Sequence, residues 1–319
     1  MTDTYDKGLT ALGSDCYAWM QPDGGWGLSN AGLIVGSGTS LLVDTLFDLR
    51  LAGEMLDGIA SVTEDRPIGT VVNTHSDGDH IFGNELLAAR GAEIIASAAA
   101  AERMTQDAVD EVVDILRSPG SEGDFVRHIF GSFRIDEVTV TPPHRTFRGE
   151  LTLDVGGREV RLIEVGPAHT QGDTLVHVPD SKVIYTGDIL FSGGTPVVWA
   201  GPIDRWIRAL DMILDMDVST IVPGHGPLAD KDTVRASRDY LTFVDTEARK
   251  RFDDGLDVDE AIATIDLGRW ASAPESGRLA QNVINVYARL GADLPPLDRL
   301  AVLNRMGALE GFPVPEQVR

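Results

Sequence analysis

The stretch VVNTHSDGDHIFGN, residues 71–84, places two histidines and two aspartates within six positions, directly after a short apolar run. Imidazole nitrogens and carboxylate oxygens are the donors that zinc and other first-row metals take up in proteins. The four candidates are His75, Asp77, Asp79 and His80. Their spacing predicts a metal-binding loop that follows a strand.

Further candidate ligands stand at the ends of predicted strands downstream. They are His169 in GPAHTQGD, Asp188 in YTGDILF and His225 in VPGHGP. In α/β sheets, ligand-binding side chains gather on loops at strand ends, so these groups are expected to meet the first cluster. Asp44 in LLVDT follows another strand. It either orients a ligand histidine or is an ordinary aspartate of a turn, and the sequence leaves both readings open.

The elements that must position these residues alternate between strand and helix patterns, which is typical of the α/β class. Residues 69–75 read as a strand, 82–91 as a helix stopped by Gly91, and 92–97 as a strand. In 203–216, a stripe at helical spacing predicts a helix laid on a sheet; it consists of Ile203, Ile207, Leu210 and Leu214. The remaining predicted elements are strands within 31–47, 150–188 and 219–227, a helical insertion at about 98–145, and a helical extension from 230, broken by prolines at 295–296.

Taken in order, the motifs THSDGDH, AHTQGD, TGD and GHG resemble the ligand motifs of the metallo-β-lactamase superfamily, over about residues 13–229. The resemblance implies an αββα sandwich with a dinuclear metal site at one edge. It divides the chain into a metal-binding domain, 1–229, and a helical C-terminal extension, 230–319. By position, it implies that one metal is held by His75, Asp77 and His169, the other by Asp79, His80 and His225, with Asp188 bridging the two.

Asp77 departs from the family pattern, which has histidine at this position. The carboxylate oxygen and the near imidazole nitrogen are equally many bonds from Cα, so Asp77 can reach the same point, and Gly78 leaves room for a tight loop. The extra carboxylate makes the centre less positive and therefore a weaker Lewis acid. It also moves the metal preference toward iron or manganese, although zinc, the commonest metal of the superfamily, is the first choice.

The resemblance implies a metal-dependent hydrolase in which a metal-bridging hydroxide attacks a small acyl substrate: an ester, thioester, lactone or amide. Asp79 is the expected catalytic group, binding metal and moving the proton of the nucleophile to the leaving group. There is no Gly-x-Ser-x-Gly motif that would indicate a serine nucleophile. The alternatives are a non-hydrolytic metal enzyme of the same fold, either an iron-dependent oxidoreductase or a biosynthetic cyclase, and a non-catalytic binding protein.

The walls of a substrate pocket are expected from the loops 21–30 and 191–202, the insertion and the C-terminal extension. Trp26 and Trp199 either line that pocket or pack their own loops. In 278–290, an apolar helical face is expected to pack on the core and to close one side of the cleft, with Asn282 and Tyr287 elsewhere on the helix. That face consists of Leu279, Val283, Val286 and Leu290.

Composition narrows the class of partner. The chain of 319 residues carries a formal net charge of −23, which disfavours nucleic acid and anionic membrane as partners and leaves a small-molecule substrate. No apolar run is long enough to span a membrane, the start does not have the pattern of a secretory signal, and a single cysteine excludes an internal disulfide. These features favour the cytoplasm. The oligomeric state is left open.

The other histidines and the cysteine are expected to be structural. His177 is predicted to be a hydrogen-bonded histidine within a strand, and His128 and His144 to lie at the surface or the pocket rim. Cys16 is expected to be a small buried hydrophobe rather than a nucleophile.

Overall fold

The computed structural model describes residues 5–117, 121–294 and 299–313, and the proline-rich break predicted at 295–296 lies outside these ranges. Two β-sheets face each other. In the larger one, the first four strands run antiparallel and the last four, which share β4, run parallel. Its strands, in spatial order, are β1 (Gly8–Gly13), β2 (Cys16–Met20), β3 (Ala31–Val35), β4 (Ser40–Val43), β5 (Ile68–Val72), β6 (Glu93–Ser97) and β7 (Arg145–Phe147).

The smaller sheet has the spatial order β12-β11-β10-β9-β8, and only the β11–β12 pair is parallel. Its strands are β8 (Glu150–Val155), β9 (Arg158–Glu164), β10 (Thr174–Val178), β11 (Val183–Tyr185) and β12 (Thr220–Val222).

Helices cover the outer faces of both sheets. Those in the first two thirds of the chain are α1 (Leu49–Gly58), α2 (Ala60–Thr63), α3 (Gly78–Ile81), α4 (Asn84–Ala88), α5 (Ala98–Ala101), α6 (Gln106–Arg117), α7 (Asp124–Phe130) and α8 (Ile203–Asp215). Those of the C-terminal extension are α9 (Lys231–Asp253), α10 (Val258–Thr264), α11 (Leu279–Leu290) and α12 (Arg299–Leu309). Among the described helices, none combines the length and the apolar character that crossing a membrane requires.

The strands bury both faces, because alternate side chains point to opposite sides of a sheet. Leu41 and Val43 of β4 enter the cluster between the sheets, where they meet Val176 of β10. Leu42, between them, joins the second cluster, formed against the helices, which also contains Trp206 of α8. Helices, two sheets and helices therefore lie in successive layers, and the predicted α/β class and αββα sandwich are confirmed.

The predicted stripe of α8 lies on the core. Ile203 and Leu210 are buried, and Ile207 and Leu214 are half-buried but pack against the same cluster. Trp206, which the stripe does not include, is fully buried beside them, and its indole nitrogen donates a hydrogen bond to the Ile189 carbonyl at 2.9 Å. An aromatic ring with one polar atom can face the core when that atom finds an acceptor, and an apolar stripe does not reveal this.

The apolar face predicted for α11 packs on the core: Leu279, Val283 and Val286 are buried, and Leu290 is half-buried against the same cluster. Burial extends beyond that face, because Asn282 and Tyr287, which lie elsewhere on the helix, are buried as well. Asn282 accepts a hydrogen bond from the Val198 amide at 2.8 Å and donates one to the Pro196 carbonyl at 2.9 Å. The helix therefore supports the 191–202 loop with polar as well as apolar contacts. The division of the chain at residue 230 stays a prediction.

Candidate metal centre

The predicted ligand residues meet at one edge of the sandwich. His75 and Asp77 follow β5, Asp188 follows β11, His225 follows β12, and His169 lies in the loop that leads from β9 to β10. Among the described residues, three overlapping groups have donor atoms that all lie within 4.8 Å of one another. They are His75, Asp77 and His169; His75, His80 and Asp188; and Asp79, His80 and His225. All seven candidates are therefore brought together.

Asp188 occupies the middle of this arrangement. Its Oδ1 lies 3.1 Å from His80 Nε2, and its Oδ2 lies 3.4 Å from His169 Nε2 and 3.5 Å from His225 Nε2. His75 Nε2 is 3.9 Å from the same Oδ2. A carboxylate with four imidazoles around it can bridge two cations. Its oxygens are accommodated by Gly224, at which a Cβ would lie 2.0 Å from Asp188 Oδ1.

Asp77 and Asp79 flank Asp188 on either side. Asp77 Oδ2 lies 3.2 Å from His169 Nε2 and 4.0 Å from His75 Nε2. Asp79 Oδ2 lies 3.1 Å from His225 Nε2 and 3.9 Å from His80 Nε2. The side chain of Asp77 therefore points into the cluster. The expectation that Gly78 relieves crowding has a specific cause, because a Cβ there would lie 2.4 Å from the Phe82 ring.

The inner atoms of the cluster lack partners of their own. His75 Nε2, His80 Nε2 and Asp188 Oδ1 are buried and make no hydrogen bond of acceptable geometry to the described residues. Leaving buried polar atoms unpaired costs free energy, so converging orphan donors at one point fit a cation that would bind them together. The donor set, imidazole nitrogens with carboxylate oxygens, is one that zinc, iron and manganese accept.

Each histidine is held through its other ring nitrogen. His80 Nδ1 contacts Asp44 Oδ2 at 2.8 Å, His169 Nδ1 the Val197 carbonyl at 2.7 Å, and His225 Nδ1 the Gly24 carbonyl at 3.2 Å. Carboxylate and carbonyl oxygens only accept, so Nδ1 must carry a proton, and Nε2 is the nitrogen left to bind a metal ion once that ion displaces any proton from it. These contacts fix both the tautomer and the ring orientation.

Asp44 orients ligand candidates, which decides between the two readings that the sequence left open. Besides His80, it accepts hydrogen bonds from the Thr74 amide and the Thr74 hydroxyl, both at 2.7 Å. The Thr74 oxygen in turn lies 3.0 Å from His75 Nδ1. One carboxylate therefore aligns two histidines, one of them through Thr74.

Sequence reasoning missed a second support of the metal loop, the amide pair Asn73 and Asn84. Asn84 Nδ2 donates to Asn73 Oδ1 at 2.9 Å, and Asn73 Nδ2 donates to Asn84 Oδ1 at 3.0 Å. Asn73 Nδ2 also lies 3.2 Å from the His80 carbonyl. The two residues begin and end the loop, but no spacing rule marks a buried asparagine pair.

The electrostatics follow from burying many titratable groups together. Burial opposes the charge on His225, but Asp188 and Asp79 outweigh it and raise the pKa of the imidazole to about 10. For His169, burial is likewise outweighed, here by Asp77 and Asp188, and the pKa rises to about 9. Burial and the charge of His80 lower the pKa of His75 to about 4. In the metal-free protein, protons thus balance the carboxylates, and a metal ion would displace them.

A cavity of about 530 Å³ opens onto the cluster at Asp77 and Asp79. Trp26 and Trp199 both line this cavity, as in the first of the two roles predicted for them. The insertion and the extension also contribute. The other lining residues are a mixture of apolar, polar and charged groups: Gly27, Phe47, Ser76, Gly78, Ile81, Phe82, Glu102, Arg103, Met104, Thr105, Asp107, Ala108, Glu111, Val112, Phe130, Ile135, Thr170, Gln171, Ala200 and Arg299.

The residues expected to be structural lie apart from the cluster. His128 and His144 are exposed, and Cys16 is buried, as predicted. His177 is buried in β10, but neither of its ring nitrogens has a hydrogen-bond partner among the described residues, so the prediction of a hydrogen-bonded histidine is wrong. Burial lowers the pKa of His177, and the ring is therefore neutral at physiological pH.

Curated relatives are similar over much of the chain. Hydroxyacylglutathione hydrolase from Cereibacter sphaeroides is 26% identical over 269 residues, covering 83% of this chain and 76% of its own. The alpha subunit of 2,4-dinitroanisole O-demethylase from Nocardioides sp. is 25% identical over 58% of this chain, and linear primary-alkylsulfatase from Pseudomonas sp. is 22% identical over 71%. This chain spans only 48% of the length of each of these last two proteins.

Solved structures share the fold at low identity. The inverting sec-alkylsulfatase Pisa1 from Pseudomonas sp. superposes with a TM-score of 0.67 at 18% identity, covering 92% of this chain and 52% of its own. A metallo-beta-lactamase from Pontibacter korlensis gives a TM-score of 0.55 at 18% identity, covering 73% of this chain and 98% of its own.

The family model of the metallo-beta-lactamase superfamily matches residues 24–225, which is more than half of the chain and includes all seven ligand candidates. Together with the hydrolases among the relatives, this match confirms the prediction of a metallo-hydrolase at the level of the class. By fold, by order of motifs and by family match, the chain belongs to the metallo-beta-lactamase superfamily.

Proposed function

We propose that the protein is a dinuclear metal-dependent hydrolase that cleaves an acyl bond of a small, partly apolar substrate. His75, Asp77 and His169 would hold one ion, Asp79, His80 and His225 the other, and Asp188 would bridge them. Zinc is the proposed metal, with iron or manganese as the alternative that the third carboxylate favours. The observation that carries the proposal is the set of three overlapping donor groups at the inner end of one cavity.

Two bound divalent ions would polarise the scissile group and make a water molecule acidic enough to attack it at neutral pH. The residues of the chain have complementary tasks. Asp188 lies among the four imidazoles and keeps them facing one point. The carbonyl and carboxylate partners of the Nδ1 atoms keep each Nε2 free of a proton when metal is present.

Asp79 is the proposed proton carrier. Its carboxylate belongs to the donor cluster and also lines the cavity, so it adjoins both the metal-binding atoms and the space for substrate. Burial would raise its pKa, but His80 and His225 outweigh burial and lower it. An ionised carboxylate there can accept a proton from the attacking water and pass it to the leaving group.

The cavity favours a substrate with an apolar part. Trp26, Phe47 and Phe130 form an aromatic wall. The centroid of the Phe130 ring lies 5.2 Å from that of Phe47 and 5.9 Å from that of Trp26. Such a wall stabilises an apolar group by removing it from water. The cytoplasmic location stays a prediction of the sequence.

The test is a substrate panel read with metal analysis. Protein loaded with zinc, iron or manganese is assayed against aryl and alkyl esters, thioesters, lactones, amides and alkyl sulfates. Acyl cleavage by the zinc form, abolished by chelation and restored by zinc, is expected. Alkyl sulfates are included because a relative bears the name linear primary-alkylsulfatase. Cleavage of sulfates alone would replace the acyl assignment, and turnover of no hydrolytic substrate by any metal form would contradict the proposal.

A further inference from the structure

Arg278 is a buried cation at the junction of the C-terminal extension with the metal centre. It precedes α11 and is 1% exposed. Its guanidinium carbon lies 4.1 Å from the centroid of the Trp26 ring and 4.8 Å from that of Phe191. It also donates a hydrogen bond to the Thr195 carbonyl at 2.7 Å and pairs with Glu275 Oε2 at 2.8 Å. Burying a charge is costly, so an arginine held in this way needs a reason.

The Phe191 ring contacts both Arg278 and the donor cluster. The Phe191 ring stacks on the His225 imidazole, with centroids 5.3 Å apart and planes within 11°. It meets His169 edge to face at 5.7 Å. The guanidinium, the phenyl ring and the His225 imidazole are therefore in successive contact.

The Nδ1 contact of His225 is longer than those of His169 and His80. His225 Nδ1 lies 3.2 Å from the Gly24 carbonyl, whereas the corresponding contacts are 2.7 Å for His169 and 2.8 Å for His80. Gly24 is two residues from Trp26, whose ring the guanidinium contacts. Arg278 thus restrains both the ring packed on His225 and the loop whose carbonyl fixes its tautomer.

We propose that Arg278 is a positioning residue of the metal centre, which holds Phe191 and the 24–26 loop so that His225 presents Nε2 to the second metal. The inference rests on the proposed function in one respect, namely that His225 binds metal. It adds that the C-terminal extension completes the metal centre of the preceding domain. A planar guanidinium can contact two rings and make directed hydrogen bonds together, which an ammonium group cannot do.

Stepwise zinc binding tests this without any substrate. Metal-free wild type and variants are titrated with zinc in competition with a chromophoric chelator, which yields one constant for each ion. Arg278→Met and Phe191→Leu are each expected to weaken the second zinc by about 10- to 100-fold, the range typical when a partner of a metal-binding histidine is lost. In Arg278→Met the affinity for the first zinc should change by less than about 3-fold, because the hydrogen bond of His169 to Val197 is unaffected. Phe191→Leu also removes the edge-to-face contact with His169, so it should weaken the first zinc too, but less than the second.

Arg289→Met is the matched control. Arg289 belongs to α11 and donates to the Ala200 carbonyl at 2.8 Å, but it is exposed and makes no ring contact among the described residues. This variant removes the same charge from the same helix and should bind both zinc ions like wild type. The affinity of Arg278→Lys for the second zinc should fall between those of wild type and Arg278→Met. In the double variant Arg278→Met with Phe191→Leu, the loss of binding free energy for the second zinc should be smaller than the sum of the two single losses, since both substitutions act on one contact.

Two results distinguish a failure of the proposed function from a failure of the inference about Arg278. If wild type binds no second zinc, the proposed function fails. If wild type binds two and Arg278→Met binds both unchanged, even at a lower melting temperature, Arg278 is only structural and the inference is wrong. Should Arg278→Met not fold, Phe191→Leu and Arg278→Lys decide in the same way.

Discussion

The metal centre and the cavity wall are built by different physical means. In the centre, His75, His80 and His169 are almost fully buried, and each is fixed by a polar contact of 2.7–3.0 Å at its outer nitrogen. The wall consists of aromatic rings from separate segments, of which Phe47 and Phe130 are buried and Trp26 and Trp199 half-buried. Directed contacts fix a geometry, whereas apolar contacts tolerate exchange of side chains. Changes in the centre should therefore alter metal binding and kcat, and changes in the wall should alter KM and substrate choice.

Asp188→Asn should have the largest effect on metal binding and on activity. The amide keeps the shape of the side chain but removes the charge at the middle of four imidazoles. Loss of a buried ionic partner costs about 3–5 kcal/mol, which corresponds to about 10²- to 10⁴-fold in affinity. We expect both zinc constants to fall by that order and activity to fall with them. A loss of activity with both constants intact would mean that Asp188 does not bind the metals.

Asn282→Ala tests the joint between the extension and the wall. It removes the hydrogen bonds to the Val198 amide and the Pro196 carbonyl, leaving both buried groups without that partner. At about 1–3 kcal/mol for each of the two unsatisfied groups, the free energy of unfolding should fall by about 2–6 kcal/mol in urea titrations. Zinc affinity should fall much less than in Arg278→Met, because the described contacts of Asn282 include neither a candidate ligand nor a ring that packs on one. Thr246→Ala on α9, which removes an exposed hydrogen bond to Thr242, is the control and should cost much less.

Asp77→His tests how the unusual aspartate of the metal loop affects the metal centre. It restores an imidazole and removes a negative charge from the centre, which becomes more positive. The nucleophile should then lose its proton at a lower pH, so that the acidic limb of the pH–rate profile moves to lower pH, by about one unit. Zinc should also be held better relative to manganese. An unchanged profile and unchanged metal preference would show that Asp77 does not affect the metals.

Trp199→Ala should have the smallest effect. Its backbone amide donates to the His169 carbonyl at 2.9 Å, and this bond survives loss of the side chain. The ring lines the cavity, so its loss should raise KM by about 10-fold for an apolar substrate, the equivalent of one buried side chain, with kcat nearly constant. Trp26→Ala is the informative contrast, because the Trp26 ring also contacts Arg278. A fall in kcat alone for Trp199→Ala would contradict the separation of wall and centre.

The sequence predicts the centre better than its supports, for a physical reason. Histidines and aspartates that follow buried strands converge because the strand ends share one edge, so the order of motifs carries the geometry. Arg278 and Asn282 act through contacts between segments far apart in the chain, for which no local spacing exists. The stripe of α8 does not reveal that Trp206 is buried, because its polar atom is satisfied by the Ile189 carbonyl, again a contact through space.

The most direct test that Asp77 completes a two-metal centre is the metal content of wild type and of Asp77→Ala. Asp107→Ala is the control, since Asp107 lines the same cavity but belongs to none of the three donor groups. After zinc-replete purification and exhaustive dialysis, elemental analysis should give about two metals per chain for wild type and Asp107→Ala, and about one for Asp77→Ala. One metal in the wild type, or two retained in Asp77→Ala, would contradict the account.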